Sequence, residues 1–155
     1  MHVLRLLATL LLASCASYGN AASPADECQR FHDASYDALF TAKQFATEPV
    51  GFSGKVIPAE VHALRCLMAE PDALSRVRDL IAHGTPAGQL YALVGLKSLH
   101  AEEFASTVRS FASSTQSVVT ISGDLMKQEP VSALAELIAR GEYSTKLYPG
   151  AVGDP

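Results

Sequence analysis

Apolar side chains recur every three or four residues along most of the chain, the spacing that predicts amphipathic helices. The segment "PDALSRVRDLIAHG" is typical, because its large apolar residues fall on one helix face: Leu74, Val77, Leu80 and Ile81. Several such segments begin with proline and two close on glycine, as helices commonly do. We therefore predict helices over six segments: 23–46, 58–70, 71–84, 85–99, 100–113 and 130–141.

Two pairs of these predicted helices look like copies of one helical hairpin. The segment "ALRCL" at 63–67 matches "ALVGL" at 92–96, and "VRDL" at 77–80 matches "VRSF" at 108–111. Repeated hairpins bury their apolar faces by stacking on one another. The predicted fold is therefore all-α, with about six helices in stacked, HEAT-like hairpins. β-branched residues interrupt the pattern and predict one short extended segment near 117–121.

The N-terminal run predicts an export signal. Arg5 precedes the apolar segment "LLATLLLA" at 6–13, which is too short to span a bilayer. The end of this segment and the two residues after it, "LLASC" at 11–15, resemble the lipobox of bacterial lipoproteins, which implies cleavage before Cys15 and acylation of that cysteine. We predict a signal peptide over 1–14, a tether over 15–22 and a lipid anchor on Cys15, since several acyl chains attach a protein firmly to a membrane.

A second processing site leaves plain secretion as an alternative. Small residues at 19–23 fit signal-peptidase cleavage near 21–22, which would release a soluble periplasmic or secreted protein. In the lipidated case, the residue after Cys15 is Ala16 and not aspartate. In lipoproteins of Gram-negative bacteria this residue choice suggests the outer membrane. The anchored protein would then face the periplasm.

Both routes leave Cys28 and Cys66 in the mature chain. Two cysteines in an oxidising compartment predict a disulfide between them, with two buried free thiols as the alternative. We predict one helical domain over 23–148, followed by a flexible tail over 149–155.

Composition and charge narrow the function classes. The chain has 155 residues, enough for one domain, and 48% of them are hydrophobic, which argues against global disorder. The net charge is −4 and no cluster of lysine and arginine occurs. The chain therefore lacks the basic surface that nucleic-acid binding requires.

The sequence gives little indication of a metal, nucleotide or catalytic site. His62 and Cys66 have the i, i+4 spacing of zinc ligands, and His83 or His100 would complete a site, but the disulfide would consume Cys66. The segment "GFSGKV" has too few residues between its glycines for a phosphate-binding loop. We predict no catalytic residue, cofactor or metal.

Gly88 and Gly95 are unusual because glycine weakens a helix interior. Their spacing of nearly two turns places them on one face of the predicted helix over 85–99. The sequence predicts that a neighbouring helix approaches this face closely. A groove for a partner beside Tyr91 is the alternative.

A family resemblance rests on "GTPAGQLYALVGL", a later "SG" and a closing "IARGEY" segment. Over roughly 58–145 the chain resembles a group of uncharacterised exported helical proteins of bacteria. The resemblance implies a cysteine in the "YAL.GL" helix bonded to one after the "SG". Val94 and Asp124 occupy those places, so that bridge is absent here.

Together these patterns predict a non-enzymatic envelope lipoprotein whose helical domain binds another protein. A narrower version is a periplasmic immunity or inhibitor protein that neutralises a secreted effector. A small hydrolase with an unrecognised site is the rival from another class. Stacked helical repeats commonly present binding surfaces, and a binding role is expected here by analogy with them.

Overall fold

The computed structural model describes residues 28, 32–51 and 56–142. In this part of the chain, helices and strands alternate irregularly in the order α1 (His32–Phe40), β1 (Gln44–Val50), α2 (Ala59–Met68), α3 (Ala73–His83), α4 (Pro86–Ser98), α5 (Phe104–Phe111), β2 (Ser117–Gly123), β3 (Leu125–Pro130) and α6 (Val131–Arg140).

The three strands form one mixed sheet in the order β1-β2-β3. β1 and β2 run parallel, with Phe45 opposite Thr120, whereas β2 and β3 form an antiparallel hairpin. Gly123 has a φ of +62° and stands first in the two-residue turn between Ser122 and Leu125. Glycine with positive φ at this position is typical of tight hairpin turns.

Helix α4 is the centre of the domain. Every residue from Ala87 to Leu96, apart from Gln89, is buried. The other described helices and strands β1 and β2 pack around it. This explains why the segment is apolar on all sides, since a helix enclosed by other elements has no solvent-facing stripe.

The prediction of an all-α fold is wrong, because the domain combines six described helices with a three-stranded sheet. The segment near 117–121 is the central strand of that sheet. Residues 44–46, predicted as the end of the first helix, belong to β1. The pairing that stabilises β1 joins segments far apart in sequence, so local periodicity could not reveal it.

The predicted HEAT-like pairing of helices is also wrong. The closest helix pairs are α1 with α2 and α3 with α4, whereas the matching segments had suggested α2 with α3 and α4 with α5. The similarity of "ALRCL" and "ALVGL" therefore reflects two apolar helix faces that pack on different neighbours. Nothing in the described residues repeats as a structural unit.

Two polar side chains fix the ends of α4. Thr85 caps its start by accepting a hydrogen bond from Gly88 N–H at 3.1 Å, and its hydroxyl donates to the Ala42 carbonyl at 2.6 Å. Near the other end, Lys97 Nζ donates to the Ile138 carbonyl at 2.7 Å. Burial lowers the pKa of Lys97. Its Nζ also lies 3.1 Å from the Ala139 carbonyl, at the end of α6 where the helix dipole favours a positive charge.

The predicted signal peptide over 1–14, the tether over 15–22 and the tail over 149–155 lie outside the described residues. Within the described part of the chain, each helix is too short or too polar to cross a bilayer.

Candidate functional site

Of the predicted site residues, Cys15 lies outside the described residues, whereas Cys28 and Cys66 are joined by a disulfide. Their α-carbons lie 4.9 Å apart, within the range that disulfides require. The bond ties the chain before α1 to the last turn of α2. Cys66 is therefore neither a thiolate nucleophile nor a zinc ligand in this structure.

Gly88 lies where the end of α1 meets the start of α4. A β-carbon added at this position would lie 2.3 Å from the carbonyl oxygen of Leu39. This separation is far inside van der Waals contact, so the two backbones meet at a point where only glycine fits. The close approach involves the last turn of α1, because α1 ends at Phe40.

Gly95 has different surroundings, although it belongs to the same helix. An added β-carbon would lie 3.0 Å from Val77 Cγ2 and 3.3 Å from Met68 Sδ. These atoms belong to side chains of α3 and α2, and not to a neighbouring backbone. The two glycines therefore accommodate different partners, and only Gly88 accommodates a main chain.

Tyr91 is completely buried, so it lines no open groove among the described residues. Its ring packs against Phe45 with the ring centroids 4.9 Å apart. Its hydroxyl accepts a hydrogen bond from the Ala46 N–H at 2.9 Å. Tyr91 thus positions β1 on α4, which is a structural role.

A polar network that the sequence did not suggest lies on the surface of α1 and α3. Tyr36 donates a hydrogen bond to one carboxylate oxygen of Asp79, and the other oxygen lies 3.0 Å from His83 Nδ1. Burial and this hydrogen bond raise the pKa of Tyr36 to about 12, and the bond from Tyr36 lowers the pKa of Asp79. Asp79 is therefore ionised and Tyr36 protonated at neutral pH.

Arg76 extends this network toward the end of α2. Its Nε lies 3.1 Å from carboxylate oxygens of both Glu70 and Asp72. Its guanidinium lies 5.7 Å from the centroid of the Tyr36 ring and forms a cation–π contact with that ring. The network thereby joins α1 to α3 through charge as well as packing.

The chemistry open to this network is limited. His83 is paired with a carboxylate, the arrangement that orients an imidazole as a general base. Among the described residues, however, its ring contacts no hydroxyl or thiol that could serve as a nucleophile. Tyr36 stays protonated at neutral pH and already donates its proton to Asp79, so it does not serve as a general base. We interpret the network as a structural link between α1 and α3.

Metal ligation finds no support in the described part of the chain, where no three side chains of the ligating types come together. The His62 side chain is exposed on α2 while Cys66 is bonded to Cys28. A shallow, open depression of about 450 Å³ lies between the end of α1 and the start of α2. Three alanines line it together with Thr41, Lys43, Gln44 and Glu60, and it is open enough that a bound ligand would stay largely exposed to solvent.

The exposed apolar residues form a more informative surface. Three large hydrophobic side chains of the described chain are more than half exposed: Val56, Leu125 and Met126. All three lie at the end of the sheet where the β2–β3 hairpin turns. We name this surface, consisting of those three residues, the hairpin end.

Backbone pairing places the members of the hairpin end across the same end of the sheet, with Leu125 and Met126 on opposite faces because they are adjacent residues of β3. Val56 bridges to Val50, which lies next to Gly123, and the hairpin turn then leads to Leu125. Neighbouring strands are about 4.8 Å apart, so the backbone positions of Val56 and Leu125 are roughly 15 Å apart across the end of the sheet. The sequence signal for this hairpin was the β-branched run "SVVTIS" followed by "GD", which reads as strand and turn.

Comparison with protein-family models, curated proteins and solved structures gave no match to this chain. Its function is therefore inferred from the chemistry of its own surface.

Proposed function

We propose that this chain is an exported, lipid-anchored domain of the bacterial envelope that acts by binding another protein through the hairpin end. One observation carries this proposal: among the described residues, the three large apolar side chains that are more than half exposed all lie near the end of the sheet where the β2–β3 hairpin turns. Single exposed apolar residues are normal on protein surfaces, whereas grouped ones mark binding sites.

The rigidity of the surrounding structure supports a binding role. Val50 and Val56 exchange two backbone hydrogen bonds of 2.8 and 3.1 Å, and Gly51 N–H donates to the Gly123 carbonyl at 3.0 Å. The hairpin end is thus held by backbone bonds before any partner arrives. A preorganised surface loses little conformational entropy on binding, which favours affinity.

Charged side chains border the hairpin end, with Asp124 in the turn beside Leu125 and Lys127 beside Met126, and such a margin also suits a protein partner. Glu48 accepts a hydrogen bond from Ser122 at 2.8 Å, so that carboxylate is bound to the sheet. An apolar centre with polar groups at its margin is the usual composition of a protein interface. The partner would accordingly present an apolar surface of similar width. An effector neutralised in the periplasm is the narrower version of this proposal.

Photo-crosslinking tests the hairpin end directly. A photoreactive amino acid at Leu125, and separately at Val56, is expected to give one adduct of the same mass in intact cells of the source organism. The matched control places the probe at Ser117, which is exposed at the opposite end of β2, and is expected to give no such adduct. A tagged chain that carries V56T/L125T should capture at least roughly tenfold less of the crosslinked partner than the tagged wild-type chain does, since apolar anchors dominate interface energies.

An adduct at Ser117 equal to that at Leu125, or no adduct at either hairpin position, would contradict the proposed surface. Circular dichroism of the double variant checks that its fold is intact. Both substitutions place a β-branched threonine at an exposed position, so little loss of stability is expected.

The lipid anchor has its own test. Cells grown with a clickable fatty acid are expected to label the protein, and Cys15→Ser should abolish the label, because acylation requires the cysteine sulfur. Cys28→Ser serves as the control and should leave the label unchanged. A mature N-terminus at Ala22 or Ser23 would instead identify a soluble exported protein.

A further inference from the structure

Strand β3 forms an edge of the sheet, and no described element lies along its outer side. Its residues from Leu125 to Gln128 are exposed. An open edge offers backbone donors and acceptors to another strand. The outward backbone groups and the charges of β3 determine which strand can pair with it.

The hydrogen-bond alternation of the hairpin determines which backbone groups point outward. Val131 N–H donates to the Gln116 carbonyl at 3.0 Å, one position beyond the pair of Ser117 with Pro130. Bonded and non-bonded pairs alternate in an antiparallel ladder, so Lys127 and Glu129 bond to β2. The peptide groups of Met126, Gln128 and Pro130 therefore face outward. Pro130 fits this assignment because it has no N–H to donate to β2.

Self-pairing of β3 is restricted to registers that join these outward groups. With Gln128 opposite Gln128 of a second copy, Lys127 lies opposite Glu129 of that copy and Glu129 opposite Lys127. A shift in one direction sets Lys127 against Lys127, and a shift in the other sets Glu129 against Glu129. Like charges directly opposite destabilise a sheet, whereas opposite charges stabilise it. One register is thus complementary, and its neighbours on both sides are repulsive.

The cross-strand contacts agree with this register. Lys127 and Glu129 lie opposite Thr120 and Val118 of β2, so their side chains share one face of the sheet. They would form non-hydrogen-bonded pairs between copies, in which side chains are closest. Thr120 Oγ1 donates to Glu129 Oε2 at 2.5 Å, which holds that carboxylate in place and leaves it lone pairs for the lysine.

We propose that two copies of this chain pair antiparallel through β3, with a two-fold axis at Gln128, to form a continuous six-stranded sheet. Gln128 of each copy exchanges both backbone bonds with its counterpart, and each Met126 N–H donates to the Pro130 carbonyl of the other copy. The axis directs the two hairpin ends away from each other. Of the hairpin end, only the backbone of Met126 takes part in self-pairing, so Val56 and Leu125 remain accessible to a partner.

Cysteine crosslinking in the oxidising compartment provides the test, using the full chain in intact cells. Gln128→Cys is expected to form a covalent dimer on a non-reducing gel, because its α-carbon would lie about 5.5 Å from the same atom of the second copy. Met126→Cys is the matched control, since it faces Pro130 of the other copy, and should remain monomeric. Cys28 and Cys66 are already bonded to each other and do not compete.

Charge reversal then tests the register. In the Gln128→Cys background, Lys127→Glu and Glu129→Lys are each expected to lower crosslinking roughly tenfold, because each creates two repulsive pairs per dimer. Co-expression of the two variants should restore a mixed dimer, since every pair is then complementary. This rescue distinguishes lost pairing from a damaged fold.

Absence of a Gln128→Cys dimer would overturn the proposal. So would equal crosslinking of Gln128→Cys and Met126→Cys, which would indicate random collision, or a failure of the mixed variants to restore the dimer. An adduct at Leu125 could persist in each of these cases, so the two proposals fail separately.

Discussion

Replacing Gly88 with alanine is expected to lower the free energy of unfolding by about 2–3 kcal/mol, the cost of overpacking a dense interior. The new β-carbon would lie 2.3 Å from the Leu39 carbonyl oxygen and 3.3 Å from Thr85 Oγ1. A backbone atom cannot rotate away as a side chain can, so α1 must move relative to α4. Alanine gains about 1 kcal/mol in helix propensity, which is too little to offset that movement.

Urea denaturation followed by circular dichroism measures this effect, and Gly95→Ala is the control. The added carbon at residue 95 meets the side chains of Val77 and Met68, and the flexible thioether of Met68 can shift. We expect Gly95→Ala to lie within about 1 kcal/mol of the wild type. Equal stability of Gly88→Ala and the wild type would show that α1 is not seated tightly on α4.

Removal of the Cys28–Cys66 bond is expected to lower the free energy of unfolding by about 4 kcal/mol, because the bond restricts the unfolded chain. The two cysteines are separated by 38 residues, and the entropy cost of closing a loop grows with the logarithm of its length. Helix α1 lies within the part of the chain that the disulfide closes into a loop. The double variant C28S/C66S should therefore unfold at a lower urea concentration than the oxidised wild type.

A reducing agent provides the internal control for this measurement. It should lower the unfolding midpoint of the wild type and leave that of C28S/C66S unchanged. If the oxidised wild type and the double variant unfold at the same midpoint, the disulfide contributes nothing to stability.

The sequence predicted the helices better than the strands because a helix is a local structure. Prolines at 86 and 130 and the glycine at 141 mark helix ends that the structure also has. Segment β1 carries Glu48 and Pro49 and lacks a clear alternation of apolar and polar residues. Its burial depends on β2 and on Tyr91, which local patterns do not report.

Candidate site residues were predictable to a similar extent. The unusual glycines of α4 drew attention to a close approach that exists at Gly88, where the main chain of α1 lies at Leu39, whereas Gly95 meets only side chains. Tyr91 gave no sequence signal for burial, because tyrosine is common both inside proteins and on their surfaces. The hairpin end was missed because exposure of Leu125 and Met126 depends on where the sheet stops.

The parallel pairing of β1 with β2 has a consequence for the time at which the domain can form. Thr47 and Ile121 are linked through the sheet and lie 74 residues apart in the chain. At about 5–20 residues per second, synthesis of the intervening chain takes roughly 4–15 seconds. During that interval Phe45 and Ala46, which are buried in the finished domain, have no strand to join. The cell must therefore keep the first strand from aggregating until β2, which lies in the last third of the chain, is available to pair with it.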